Sequence, residues 1–307
     1  MKRIAVIVLG LLAVGTLLSF ILVPNVVELT HRRVIKADYV AIERRLTDTA
    51  AWMDWWPQPQ TYPFYDGISY KAGTRTPATI AVEASTPSIS VSSFIRIRHG
   101  GHDSTGIEWV SIFPTSYNPI TRISRYFEGK KIAERSAALT DHLATYFSTM
   151  ENLYGVHIDE VIVRDSLLAV TSETGTNYPD LAGIYRLINK LRSHVKSNAA
   201  AETAPPMVNV SRLDGGEIVT RVAIPVDREI KSSADIQFKR MLANGNMLKT
   251  TVRGGSGEVN KALNNMRMFV EDHKRTAPAI PYQSWVTDRM ANPDSSQWVT
   301  EIYYPVM

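Results

Sequence analysis

The chain contains no cysteine among its 307 residues, which excludes disulfides, thiolate metal sites and a cysteine nucleophile but leaves the compartment undecided. Long runs of lysine or arginine are missing too, and the formal net charge is only +4, so the electrostatic footprint of a nucleic-acid binder is absent. No glycine-rich phosphate loop, G-x-S-x-G elbow or H-E-x-x-H pair occurs, and nucleotide, serine-hydrolase and zinc-protease chemistries lose their usual marks. No cofactor and no metal is called for. What is present is an ordinary globular composition, 44% hydrophobic and 21% charged, in a chain long enough for about two domains of roughly 100 to 200 residues each.

The one long apolar run is Ile4 to Val23, uncharged throughout and preceded by Lys2 and Arg3. At about 1.5 Å per residue it matches the ~30 Å of a hydrocarbon core. A cleavable signal peptide has a shorter apolar region, about 7 to 15 residues, and a small-x-small cleavage site, and neither is visible. The expectation is an uncleaved single-pass membrane anchor over residues 1–25. Lys2 and Arg3 favour a cytoplasmic N-terminus, whereas Arg32, Arg33 and Lys36 pull the other way; the reading places the rest of the chain outside the cytoplasm, in the periplasm.

Residues 26–153 read as a first α+β domain. A strand over Val26 to Lys36 precedes a helical stretch that begins at Asp38, carries Val40, Ile42 and Leu46, and ends at Trp52-Met53-Asp54-Trp55-Trp56-Pro57. Strand and turn signals fill Tyr62 to Phe127: Ile89, Val91, Ile95 and Ile97 alternate on one face, as do Ile107, Trp109 and Phe113. A helix is expected from about Lys130 to Asn152, striped by Ile132, Leu139, Leu143 and Phe147, with Gly155 to end it. This order, with Leu46-Thr-Asp48 and the tryptophan cluster, resembles the helix-grip fold of the polyketide-cyclase/START-like superfamily. The resemblance implies a sheet wrapped round the last helix, with an apolar cavity for a hydrophobic ligand.

Residues 154–307 state one module twice. Val219-Thr220-Arg221-Val222-Ala223-Ile224-Pro225-Val226 and Val299-Thr300-Glu301-Ile302-Tyr303-Tyr304-Pro305-Val306 share Val, Thr, Pro and Val at the same places. Each is preceded by a helical stripe. The first runs through Leu181, Ile184, Ile188, Leu191 and Val195 behind Pro179 and Asp180; the second runs through Val259, Leu263, Met266 and Val270 behind a Ser256 N-cap. A proline-led strand follows each, opened by Pro206 and by Pro281. Asn198 to Pro206 is a flexible connection inside this domain.

A duplicated strand-helix-strand-strand module ending in Trp298-Val-Thr-Glu301-Ile-Tyr-Tyr-Pro305-Val resembles the GyrI-like small-molecule-binding domain, which also forms the effector-binding half of multidrug-responsive regulators. The resemblance implies a cleft between the modules that takes small aromatic or cationic molecules, and in some members hydrolysis of reactive electrophiles. It also places an acidic residue of the last strand in that cleft. Glu301 is therefore the leading ligand-binding candidate. Tyr303 shares its face by the period of two, Arg221 takes the equivalent place in the first repeat, and Trp285 is an aromatic wall or part of the core.

Other residues with chemical potential are outweighed by plainer readings. Trp52, Trp55 and Trp56, three and four apart at a helix end, wedge that end onto the sheet more readily than they rim an entrance. His99-Gly-Gly-His102-Asp103 reads as a solvated turn rather than a metal site. Asp141 and His142 are adjacent on a helix and point to different faces. The function expected is a membrane-anchored protein that sequesters or senses a hydrophobic or cationic small molecule without catalysis, binding no nucleic acid. The rival is a GyrI-like hydrolase in which Glu301 orients or deprotonates water.

Overall fold

The computed structural model describes residues 2–101, 103–163, 167–241 and 244–307. His102 of the glycine-rich turn falls outside them. The chain is mixed α+β and divides into two compact units, Met1–Leu153 and Tyr154–Met307.

The first unit runs α1 (Lys2–Leu22), β1 (Val26–Ile35), α2 (Tyr39–Thr47), α3 (Trp52–Trp55), β2 (Phe64–Tyr65), β3 (Ile68–Thr76), β4 (Thr79–Ser85), β5 (Ser90–His99), β6 (Thr105–Pro114), α4 (Pro119–Tyr146) and the start of α5 (Met150–Tyr154). Its strands form one antiparallel sheet in the order β1-β6-β5-β4-β3-β2, and α4 lies against β1, β6 and β5. Alternation sorts the faces: Val91, Ser93, Ile95 and Ile97 of β5 are buried, as are Ile107, Trp109 and Phe113 of β6. Asp38 caps α2, its carboxylate accepting from the backbone N–H of Val40 and Ala41, which satisfies donors a helix start would otherwise leave unpaired.

The three neighbouring tryptophans are structural. Trp52, Trp55 and Trp56 are each at most 2% exposed, and their rings continue through Tyr70 to Trp109 in a chain of tilted and edge contacts 5.3 to 6.0 Å between centroids. These rings are part of the buried core of the first unit. His99 stacks on Tyr39 at 3.9 Å.

Helix α4 begins well before Lys130. Asn118 accepts from the N–H groups of Ile120 and Thr121, with Pro119 in the first turn, a strong start signal. The helix-period stripe misses these turns because their apolar residues Ile120, Ile123 and Phe127 are exposed. Further along, Gly129 meets β6 so closely that a Cβ there would overlap the ring of Phe113. Gly129→Ala is expected to destabilise the first unit by about 1–3 kcal/mol, as overpacking does. Urea unfolding followed by tryptophan fluorescence measures this, and an unchanged midpoint would show that the contact yields without cost.

The membrane anchor and the periplasmic placement that followed from it are corrected. No helix among the described residues is long and apolar enough to cross a membrane. The last turn of α1 is part of the first unit: Ser19 and Val23 are buried, and their carbonyls accept from the buried Arg122 guanidinium of α4 at 3.2 and 2.9 Å. The apolar stretch left over falls short of the ~20 residues a span requires.

The second unit continues with β7 (Asp159–Ile162), β8 (Leu167–Gly175), α6 (Leu181–Ser197), β9 (Met207–Arg212), β10 (Ile218–Pro225), β11 (Gln237–Arg240), β12 (Asn246–Arg253), α7 (Ser256–Asp272), β13 (Tyr282–Trp285) and β14 (Val299–Pro305). The order strand, helix, strand, strand occurs twice, as β8-α6-β9-β10 and as β12-α7-β13-β14. All eight strands join one antiparallel sheet, ordered β11-β8-β10-β9-β13-β14-β12-β7. The halves meet where Val208 and Met207 of β9 pair with Gln283 and Ser284 of β13. Both helices cover the same face. Ile184, Ile188 and Leu191 of α6 pack with Val208, Val222 and Ile224, while α7 lies on β12 and β14. Asp180 caps α6 through Gly183 N–H at 2.7 Å. The α7 cap is Gly255 rather than Ser256, which is its first helical residue.

Candidate functional site

Strand alternation sends one set of side chains under the helices and the other to the opposite face of the eight-stranded sheet. The register carries Glu301 and Tyr303 of β14 to that open face with Ser284 and Tyr282 of β13, directly opposite them, and with Lys249 of β12, opposite Tyr303. In the first half the matching places hold Arg221 and Ala223 of β10, with Asn209 and Met207 of β9 opposite, and Val170 of β8 opposite Ala223. A cleft follows this face. One part, about 540 Å³, is bordered by Glu301, Tyr303, Lys249 and Tyr282. The other, about 900 Å³, is bordered by Arg221, Ala223, Leu168, Val170 and Ile280. Met207, Met247 and Tyr282 border both.

Glu301 is not an unpaired carboxylate. Lys249 Nζ lies 2.6 Å from its Oε1, and Tyr303 donates its hydroxyl to Oε2 at 2.8 Å. Tyr303 in turn stacks on Tyr282, with centroids 5.1 Å apart and planes 13° off parallel, and the Lys249 ammonium lies 5.8 Å from the Tyr303 centroid. In this cluster the cation satisfies the carboxylate, and the stacked tyrosines present an aromatic edge beside it. Glu301→Gln is therefore expected to remove about 1 kcal/mol of stability, since the pair is about three-quarters buried: Lys249 is 27% and Glu301 24% exposed. Differential scanning calorimetry tests this, and an unchanged Tm would mean that Lys249 finds another partner.

Arg221 lies apart from Glu301. Its guanidinium donates to Asn209 Oδ1 at 3.2 Å and to Ser211 Oγ at 2.9 Å. Trp285 takes the opposite, helix-covered face, because β13 pairs it with Thr300. It is 4% exposed and belongs to the α6 core. Arg289 lies over its ring at 3.7 Å and over that of Trp298 at 4.8 Å. Burial draws the Arg289 guanidinium down to about 10, which still leaves it charged at neutral pH, held by two aromatic faces and by Thr300 Oγ1 at 2.8 Å. Tyr185, raised by burial and by its hydrogen bond to Asp288, accepts from Arg289 N–H at 2.7 Å. Of the four site candidates, Glu301, Tyr303 and Arg221 thus border the cleft and Trp285 supports it from behind. Lys249 and Tyr282 are the residues that sequence reasoning missed, because only strand register brings them to Glu301. Among the described residues no group of three or more His, Asp or Glu side chains could hold a metal ion.

No protein family's sequence profile matches the chain, and no curated protein does. Among solved structures, the C-terminal domain of EcmrR is similar at 18% identity and a TM-score of 0.40, over 50% of this chain and 96% of that one. SAV2435, solved bound to tetraphenylphosphonium, is similar at 12% identity and 0.33, over 49% and 94%. The Aha1 dimer from Colwellia psychrerythraea is similar at 15% and 0.29, over 40% and 96%. These are distant likenesses, and the chemistry of the cleft is read from its own residues.

Proposed function

We propose that the second unit is a small-molecule-binding domain of GyrI-like kind, taking one largely apolar molecule in the cleft on the open face of its sheet. The observation that carries this is the part of the cleft of about 900 Å³, walled by Leu168, Val170, Ala223 and Ile280 and bordered, among the described residues, by no Asp or Glu side chain. A recess of this size and character suits a drug-sized apolar ligand. Tyr282 and Tyr303 offer an aromatic edge, and Met207 and Met247 offer flexible apolar contacts that adapt to different shapes. Cation recognition through Glu301 is weakened by Lys249, which already supplies the opposing charge. Hydrolysis through Glu301 has no observation in its favour.

Titration of the full chain with 4-(1-pyrenyl)butanol, a neutral fluorescent aromatic, tests the reading. One equivalent should bind and raise the melting temperature by mass action. The absence of saturable binding would defeat it.

A further inference from the structure

The two halves of the cleft are copies in backbone but not in charge. In the second half Glu301 meets Lys249, which stands opposite Tyr303 on β12. In the first half Arg221 takes the place of Glu301, Ala223 that of Tyr303, and Val170 that of Lys249. The replacement of Tyr by Ala clears the space that the larger part of the cleft occupies. Val170, which stands where the second half has Lys249, carries no charge, so the first half has no oppositely charged counterpart of the Glu301–Lys249 pair there. Arg221 is left half-buried with only the neutral acceptors Asn209 and Ser211, and with no carboxylate partner among the described residues.

The same wall carries two further cations. Lys239 is placed there by the pairing of β11 with β8, opposite Leu168, and borders the recess with Arg221; among the described residues it has no ion-pair partner. Arg240 also borders it and is paired with Glu229. Two carboxylates, Glu173 and Asp235, border an adjoining recess with both Arg221 and Lys239, and each is already engaged, by Arg186 at 2.6 Å and by Lys190 at 3.0 Å. An apolar recess therefore ends in two positive charges, Arg221 and Lys239, that no carboxylate among the described residues of its wall neutralises. A guanidinium removed from bulk water and held by neutral neighbours gains most from an anion, because charge-assisted hydrogen bonds are about twice as strong as neutral ones and the local dielectric is below that of water.

We infer that the cleft selects amphiphilic anions: molecules with an aromatic or aliphatic body in the recess walled by Val170 and Ala223, and a carboxylate held by Arg221 with help from Lys239. This rests on the binding reading above and specifies its ligand class. Asn209 and Ser211 hold the guanidinium in place, so its free N–H groups face a ligand without a large loss of side-chain freedom.

Three probes with one body separate the possibilities: 4-(1-pyrenyl)butyrate, 4-(1-pyrenyl)butanol and 4-(1-pyrenyl)butylammonium, titrated by fluorescence into the full chain. The carboxylate should bind at least about tenfold more tightly than the alcohol, and the ammonium no better than the alcohol. Arg221→Gln should erase most of the carboxylate's advantage over the alcohol. Lys239→Gln, at an exposed position, should reduce the advantage by a smaller factor. Equal affinity for carboxylate and alcohol, or preference for the ammonium, would overturn the anion inference while the apolar site stands. Failure of all three probes to bind would overturn both.

Discussion

Ala223→Trp is expected to weaken 4-(1-pyrenyl)butanol binding by at least about 100-fold, roughly 2.7 kcal/mol, while leaving the melting temperature within a few degrees of the parent. Ala223 lies in mid-strand with its side chain on the cleft face, opposite Met207 on one side and Val170 on the other, and it borders the larger recess. An indole there occupies the space the ligand body requires. The fold should accept it, because the equivalent place in the second repeat carries a tyrosine, Tyr303, in a strand of the same register. Fluorescence titration beside a thermal melt reads both quantities. Undiminished binding with an intact fold would show that the ligand sits elsewhere.

Arg122→Met is expected to cost the first unit about 3 kcal/mol and to expose the chain between α1 and β1 to protease. Arg122 is 2% exposed and has no carboxylate partner among the described residues. Its guanidinium joins elements distant in sequence by donating to the carbonyls of Ser19, Val23 and Ser116 and to Asn25 Oδ1, and it lies 4.7 Å from the Phe20 centroid. The accepting carbonyls of Ser19 and Val23 belong to the C-terminal end of a helix, where a cation is favourable. Methionine keeps the apolar stem and removes every donor, which leaves buried acceptors unpaired at about 1–3 kcal/mol each. Partial rehydration of the helix end limits the sum. Urea unfolding and limited proteolysis measure the effect, and a loss below about 0.5 kcal/mol with unchanged protection would refute a clamping role for Arg122.

Much of the local structure was legible where it depends on neighbours in the chain. The helix starts near Asp38 and Asp180, the alternation in β5 and β6, and the burial of the three neighbouring tryptophans follow from periods and side-chain chemistry within a few residues, though Asp180 is the cap of α6 rather than a first-turn residue. The start of α4 was missed because Asn118 and Pro119 open a helix whose first turns carry exposed apolar residues, so no buried stripe announces them. The apolar run near the N-terminus was misread for a related reason: hydropathy alone does not reveal that its last turn docks on Arg122, a residue about a hundred positions away.

The sequence by itself determined the α+β character, the repeated order of elements in the second unit, and the shared face of Glu301 and Tyr303, since a strand's period of two requires no partner. Only the tertiary structure decided which side chains meet across strands. A one-residue change in the pairing of β13 with β14 would carry Trp285 to the cleft and Ser284 to the core. The pairing of β12 with β14 gives Glu301 its lysine, and the pairing of β8 with β10 sets Ser172 opposite Arg221 and Val170 opposite Ala223, neither of them charged. Register is set by the burial of Val208, Val222, Ile224 and Ile302 under two helices, a sum over the whole sheet that no single stretch of the chain contains.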